Sequence, residues 1–596
     1  METGGVRAPF TKAGTARTLR STLRPATRPA PDHRHRASRP PHSTVPDHAP
    51  MANPLFQTKS VADLQATAEG HGGPTLKRTL GPLQLTMLGI GAIIGTGIFV
   101  LTGTAAAGGA NHVGAGPGIV ISFVLIGIVC GLAALCYAEF ASMIPSAGSA
   151  YTYAYASFGE LAAWIIGWDL VLEYTVGNIA VAIGWSGYFI EFLKYFGIAF
   201  PAWLAIDPIS AGNAAANPEA YPALAAIAQE AFATAPNIGF PIILNLPAVL
   251  VTFLVTALLV YGIKESANLN TGLVFLKLGL IALFIYIGVQ HLDFATLWGG
   301  TTVVPGVGGA AATTVSNFMP NGWNGVFVGG SLIFFAYVGF DAVSTTAEEA
   351  KNPQRDLPIG MIASLLICTV LYIVVAAVLT GMAPLETLRN AHPVSAALTA
   401  VGETGAATII SLGASLAIVS VLLVLAYGQT RIFFSMSRDG LLPKVFSRVH
   451  PKFQTPAVST VMTGLLVAIP AGLIDISVAA ELSNIGTLFA FALVAGGVMV
   501  LRVKDPERHR GFRVPLVWVL APATVISCLF FMFQLPAATW WRFGLWLVLG
   551  IVIYFAYGAR HSNLRKGRPA TLTPGEPETL SPFQSGDLRD DTPRGV

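Results

Sequence analysis

Apolar residues in this chain come in long runs, not in the weak alternating segments of about ten residues that mark a membrane barrel. Windows of about 20 apolar residues, enough for a helix to cross ~30 Å of hydrocarbon, are centred near Gly95, Val129, Val176, Leu254, Leu280, Tyr337, Val370, Leu422, Leu466, Leu493, Ile526 and Val548. The pattern predicts twelve transmembrane helices. The third, Glu160 to Phe196, is too long for an untilted crossing and is expected to project beyond the bilayer. An Ala/Pro-rich connection, Pro201 to Pro241, separates the third and fourth.

Two of these runs do not read as continuous helix. LGIGAIIGTGIFVLT (Leu88–Thr102) carries Gly89, Gly91, Gly95 and Gly97. Each Gly costs a helix interior roughly 1 kcal/mol relative to Ala. In hydrocarbon, a broken helix leaves backbone N–H and C=O groups that must face protein, water or a ligand. A second candidate break is FFAYVGFD (Phe334–Asp341), in the sixth span. If the first ten spans form two sets of five, the breaks hold equivalent positions. An odd set size makes the second set run through the membrane in the opposite sense. The expectation is an all-α integral membrane protein with an inverted five-plus-five core, discontinuous helices 1 and 6, and two added helices. Its site is expected where the two breaks meet.

Composition agrees: of 596 residues 53% are hydrophobic and 11% charged, and the mean hydropathy is +0.63. Soluble domains average about 25% charged residues. The net charge of +4 carries no nucleic-acid signal; its distribution is more informative. With a cytoplasmic N-terminus, Lys351, Arg355, Arg438, Lys444, Arg448, Arg502, Lys504 and Arg510 all fall on the inside, and Arg560, Arg565 and Lys566 follow the last span. The outside connections hold little beyond Lys194, Arg389 and Arg542. The asymmetry predicts a multi-pass protein of the cytoplasmic membrane with both termini inside. Residues 1–74 are expected to be a poorly ordered cytoplasmic tail, 75–560 the transmembrane domain, and 561–596 a second cytoplasmic tail. The first 50 residues are rich in Arg, Pro and His, and the composition changes at Met51, the expected true start. Cys130, Cys136, Cys368 and Cys528 sit in apolar runs with neither disulfide nor metal spacing.

At a helix break, the half-helix that follows offers N–H groups with about half a positive charge, and the half that precedes it offers carbonyls. Gly95, Thr96 and Gly97 can hold a carboxylate, and Ile93 and Ile94 present carbonyls. Carbonyls near Phe335, Ala336 and Val338 can do the same in span 6, and Phe334, Phe335, Tyr337 and Phe340 supply an aromatic wall. Facing donors and acceptors of this kind suit an α-amino acid. Lys277 lies deep in span 5, where an ionisable residue reads as functional; a proton-coupling role and a structural tether are both open. Asp169 and Glu173 are four apart on one helical face of span 3 and are candidate gate or titrating groups, with a hydrogen-bonding role equally open. Asp341, Glu348, Glu349, Lys351 and Arg355, with a loop at Gln429–Lys444, are candidates for a cytoplasmic gate.

These stretches resemble the amino acid–polyamine–organocation transporters, and more closely bacterial relatives of the cationic amino acid transporter family. The resemblance is carried by GIGAIIGTGIF, YAEFASMIPSAGSAYTYAYASFGE, GWDLVLEYTVG, FFAYVGFDAVSTTAEEAKNPQRDLPIGM and QTRIFFSMSRDGLLP, in order over about residues 75–560. It implies amino acid uptake by alternating access, with protons in place of sodium. It also implies substrate contacts at Ile93, Gly95, Thr96 and Gly97 and at Phe335, Ala336 and Val338. Lys277 matches the span-5 lysine assigned to proton coupling, and Glu173 an acidic residue near the site.

The nameable site residues are apolar or aromatic, which favours neutral amino acids. A cationic amino acid or polyamine carrier, or an exchanger, remains an alternative. An ion channel would need a continuous pore and a repeated filter segment. An enzyme would need a nucleophile–base pair, metal cluster or phosphate loop. Neither set is visible, so the expected protein is not an enzyme and takes no cofactor and no metal. Its expected partners are an amino acid, protons and membrane lipid, not nucleic acid. A monomer is expected, with room for a small accessory membrane subunit.

Overall fold

The computed structural model describes residues 54–566 apart from 62–63, 65–79, 110–111, 147, 219–221, 262–266, 305–312 and 453–454. The expectations for residues 1–50, and the start expected at Met51, lie outside these residues, as do most of the two tails. Within the first tail, Pro54–Phe56 forms a short 3-10 turn, and Val61 and Leu64 are buried.

The first span is split. Helix α1 (Pro82–Ile93) ends at Ile94, whose φ of −74° and ψ of 104° are extended. The chain resumes as a π-turn over Gly97–Leu101 and helix α2 (Thr102–Ala107). Helix α3 (Ile119–Met143), short α4 (Ser149–Ser157) and the 36-residue α5 (Glu160–Tyr195) follow. The Ala/Pro-rich connection includes α6 (Pro208–Ala216) and α7 (Pro222–Thr234), around a small core of their own. Asp207 caps α6 by accepting from the Ser210 N–H at 2.8 Å.

Helices α8 (Leu246–Tyr261) and α9 (Ala267–Gly288) lead to an antiparallel hairpin, β1 (Thr301–Val304) with β2 (Thr313–Ser316). The sixth span is also split. Helix α10 (Gly322–Ile333) gives way to 3-10 turns at Phe334–Tyr337 and Asp341–Glu349. Helices α11 (Pro353–Met382), α12 (Thr404–Arg438), α13 (Ala457–Ala471), α14 (Ile476–Lys504), α15 (Val517–Phe533) and α16 (Ala537–Ile553) complete the bundle.

Among the described residues, nine helices, counting each split span as one, are long and apolar enough to cross a membrane; α8, α13 and α15 are shorter and apolar. Large apolar side chains such as Leu254, Val370, Ile469 and Ile526 face outward, a surface that suits lipid and not water. The chain is therefore a multi-pass α-helical membrane protein.

Most of the loop expected at Gln429–Lys444 is helical, since α12 continues to Arg438. Two of its polar side chains have partners on other segments. Gln429 Nε2 donates to Thr175 Oγ1 at 2.5 Å, and Arg431 Nη2 reaches Glu349 Oε1 at 2.5 Å.

The two ends of the bundle differ in how they are fastened. At the end where α5 begins, Glu160 accepts from Tyr155 and Tyr554, each at 2.9 Å, from Arg565 at 2.8 Å and from Ser562. Nearby, Glu139 is bidentate to Arg502, and Lys59 pairs with Asp439 at 2.6 Å. The end where α14 begins holds instead a cavity of about 560 Å³.

Candidate functional site

The two breaks face each other. A Cβ placed on Gly97 would lie 2.2 Å from Ala336 Cα, so only Gly allows these backbones to meet. On the other side, Gly95 abuts Val421 of α12, where a Cβ would sit 2.8 Å from Cγ2. Thr96 is buried against Gly184 of α5, and its Oγ1 has no hydrogen-bond partner among the described residues.

The carbonyls released at the first break are held by side chains from other helices. Lys277 Nζ, fully buried on α9, donates to Gly91 O at 2.6 Å. Tyr372 OH of α11 donates to Ile93 O at 2.8 Å. Within the π-turn, Phe99 O accepts from Tyr188 OH of α5 at 2.6 Å. An ammonium withdrawn from water must find acceptors or give up its proton, and Gly91 O is the acceptor here.

The second break satisfies itself more locally. Val338 is extended (φ −59°, ψ 130°). Gly339 follows at φ +119°, in the left-handed half of the map, against the Ala92 backbone. Its N–H donates to Asp341 Oδ1 at 3.2 Å. One turn earlier, Asn484 of α14 donates to Ser331 O at 2.7 Å and Leu332 O at 3.1 Å.

The structure therefore brings Gly95, Thr96, Gly97, Phe335, Ala336 and Val338 into one buried region, with Ile93 and Ile94 ending the half-helix beside it. The aromatic residues divide. Phe334 and Phe340 pack edge-on or tilted against Phe491, with Phe340 also edge-on to Tyr137. Tyr337 packs on Phe123 and Tyr372 and donates to Phe123 O at 3.0 Å. Phe335 makes no such ring pair among the described residues.

Asp169 and Glu173 are both buried on α5. Asp169 abuts Gly486 of α14, and neither of its oxygens has a hydrogen-bond partner among the described residues. Glu173 lies within electrostatic reach of Asp341. Among the described residues no group of three or more His, Cys, Asp or Glu side chains is placed to hold a metal.

Sequence reasoning did not single out Tyr372, Tyr188 or Asn484. Each is a lone polar group on an apolar helix, and nothing in its own segment says which carbonyl it will meet. That two spans are broken was the one available signal, since it implies carbonyls in need of donors.

Residues 80–556 match the amino acid permease family. The methylthioribose transporter of Bacillus subtilis (strain 168) is 44% identical over 512 residues, 86% of this chain and 99% of that protein. The branched-chain amino acid permease BcaP of the same organism is 44% identical over 517 residues, 87% of this chain and all of that protein. The vacuolar cationic amino acid transporter 2 of Arabidopsis thaliana is 38% identical over 457 residues, 76% of this chain and 64% of that protein. With two facing helix breaks, and with relatives that are transporters over nearly their whole length, the chain belongs to the amino acid permease family of the amino acid–polyamine–organocation superfamily.

Proposed function

We propose that this protein imports neutral amino acids across the cytoplasmic membrane by alternating access, coupled to protons through Lys277. The fold in this reading is twelve transmembrane helices, with α8, α13 and α15 as the short crossings. The first ten form an inverted five-plus-five repeat, and both termini are cytoplasmic. The positive charge gathered at the end where α5 begins supports that orientation. The cargo's carboxylate lies on the amides of Gly95–Gly97, and its ammonium on carbonyls of the broken helices, including that of Ala336.

The observation that carries the reading is the contact of Lys277 Nζ with Gly91 O, at 2.6 Å, two residues before the half-helix ends. A protonated lysine ties α9 to the break and holds it in a shape that binds cargo. The neutral amine binds the carbonyl more weakly and lets α1 move. Gaining the proton on one side and losing it on the other then couples its movement to the cargo's. Asp169 and Glu173, both on α5, serve as a gate. The relatives' names span branched-chain and cationic amino acids and methylthioribose. The apolar residues at the breaks favour a neutral side chain among these.

The test is uptake into proteoliposomes with labelled alanine, leucine and arginine, each competed with the others, with putrescine and with methylthioribose. Saturable uptake of alanine or leucine, competed by neutral amino acids, is expected. Uptake that saturates only with arginine or putrescine would replace the neutral assignment. Flux that rises linearly with concentration would contradict a carrier.

A further inference from the structure

The cavity at the end where α14 begins is lined from both broken spans. Ala107 and Gly108 close α2 on one side, and Ser331 and Leu332 belong to the last turn of α10. A solute in this cavity therefore sits on the outward continuation of the two half-helices that meet at Gly97 and Ala336. Asn484, which donates to Ser331 O and Leu332 O, is one turn further along α14 from Glu481, a lining residue.

The walls carry both signs of charge. Arg389, from the connection between α11 and α12, lines the cavity and reaches Ala107 O through Nη2 at 2.8 Å. Glu481 is anchored through Oε2 by Thr539 of α16 at 2.8 Å, and its Oε1 has no donor among the described residues. His112, in the turn after α2, also lines the cavity, and its Nδ1 is buried without a hydrogen-bond partner among the described residues. Burial pushes His112 below the ordinary imidazole value, so it is neutral near pH 7 and offers polarity without charge.

We propose that this cavity is a second, outer binding site for a free α-amino acid, which it holds as a zwitterion before it enters the break. The Arg389 guanidinium takes the carboxylate and Glu481 Oε1 the ammonium. His112 and Gln534 contribute polar contacts at the rim. Charge on both walls selects a molecule with both groups over an amine or an acid alone. A volume of about 560 Å³ leaves room for the side chain and water, so this site discriminates less among side chains than the break. The proposal rests on the transport reading for its cargo and its outward orientation.

Binding stoichiometry tests it, measured by equilibrium dialysis of purified protein in nanodiscs with labelled L-alanine and L-leucine. Wild type is expected to bind two molecules per chain at saturation. Glu481→Gln, which keeps a side-chain oxygen for Thr539, is expected to bind one. Gly97→Val is expected to lose the other one, and the double variant to bind none. His112→Ala, in a turn outside the helices, should weaken the outer site alone severalfold. One molecule per chain in wild type, lost with Gly97→Val and untouched by Glu481→Gln, would overturn the outer site and leave the transport reading standing. A Glu481→Gln protein that bound nothing would assign Glu481 to the break itself and also overturn it. Wild type that bound neither amino acid would overturn the transport reading along with it.

Discussion

The two helix breaks reach similar shapes by different means. The first is made by glycines, and its free carbonyls are held from outside, by Lys277 on α9 and Tyr372 on α11. The second has one glycine at positive φ and is closed mainly from within, by 3-10 turns and the Gly339–Asp341 contact. Two carbonyls just before it, those of Ser331 and Leu332, accept from the amide of Asn484, which carries no charge to lose. A break fastened by a titratable side chain on a neighbouring helix can be released by moving one proton. A break fastened by its own turns cannot. In the proposed proton-coupled cycle, the first break is the switch and the second a fixed wall.

The largest expected effect comes from the point where the two breaks touch. Gly97→Ala sets a Cβ 2.2 Å from Ala336 Cα, and backbone cannot rotate away as a side chain would. Substrate binding should be lost in protein that still inserts, as measured by uptake and surface labelling. Retained affinity would mean that the backbones separate readily and the close approach has no role.

Gly339→Ala comes next. A non-Gly residue at φ +119° is strained by roughly 1–3 kcal/mol, and the nearest atoms belong to Ala92. The variant should melt several degrees lower and bind cargo about tenfold more weakly. Equal loss of proton coupling and of binding in this variant would erase the contrast between the breaks.

Tyr372→Phe removes the second tether of the first break. Leaving the Ile93 carbonyl unmet costs about 1 kcal/mol, about fivefold in affinity, with the dependence on a pH gradient intact because Lys277 remains. Loss of that dependence would move part of the switch to Tyr372.

The smallest effect on transport is expected far from both breaks. Burial, then the charge of Asp475, raises the Asp207 carboxyl from 3.8 to about 6. The folded form thus binds a proton more tightly than the unfolded one, so stability from this group is greatest below pH 4. It declines as pH rises through about 6. After correction for intrinsic rates, hydrogen exchange over Ala202–Ala216 should be slower at pH 5 than at pH 7, and Asp207→Asn should remove the difference. Uptake should change little. Faster exchange at pH 5 would reverse the sign.

Much of this comparison was legible in the sequence where hydrocarbon forces the issue. Apolar runs, the clustered glycines of Leu88–Thr102 and a lysine alone in LVFLKLGLIALF follow from rules that hold residue by residue. The start of α5 at Glu160 and its end at Tyr195 lie where the apolar run placed them, to within a residue. The partners of freed carbonyls were not legible, because Tyr372 and Asn484 come from segments 279 and about 150 residues away in the chain. Nor was the division of the aromatic residues. FFAYVGF reads as a single cluster, yet Tyr337 and Phe340 turn into packing with α3 and α14. The extension of α12 through Gln429 and Arg431 was hidden for the same reason, since Thr175 and Glu349 make their polarity tolerable.

The most direct test of the first break as a proton switch is leucine or alanine uptake into proteoliposomes under an imposed pH gradient, comparing wild type with Lys277→Arg. One proton crossing 100 mV supplies roughly 2.3 kcal/mol, about fifty-fold accumulation, before a pH gradient adds to it. Arg keeps a cation on the Gly91 carbonyl but does not release its proton at any workable pH. Wild type should accumulate cargo under the gradient, while Lys277→Arg exchanges labelled for unlabelled cargo at most and accumulates none. Full gradient-driven accumulation by Lys277→Arg would contradict the account, making Lys277 a tether and leaving the proton to Asp169 or Glu173.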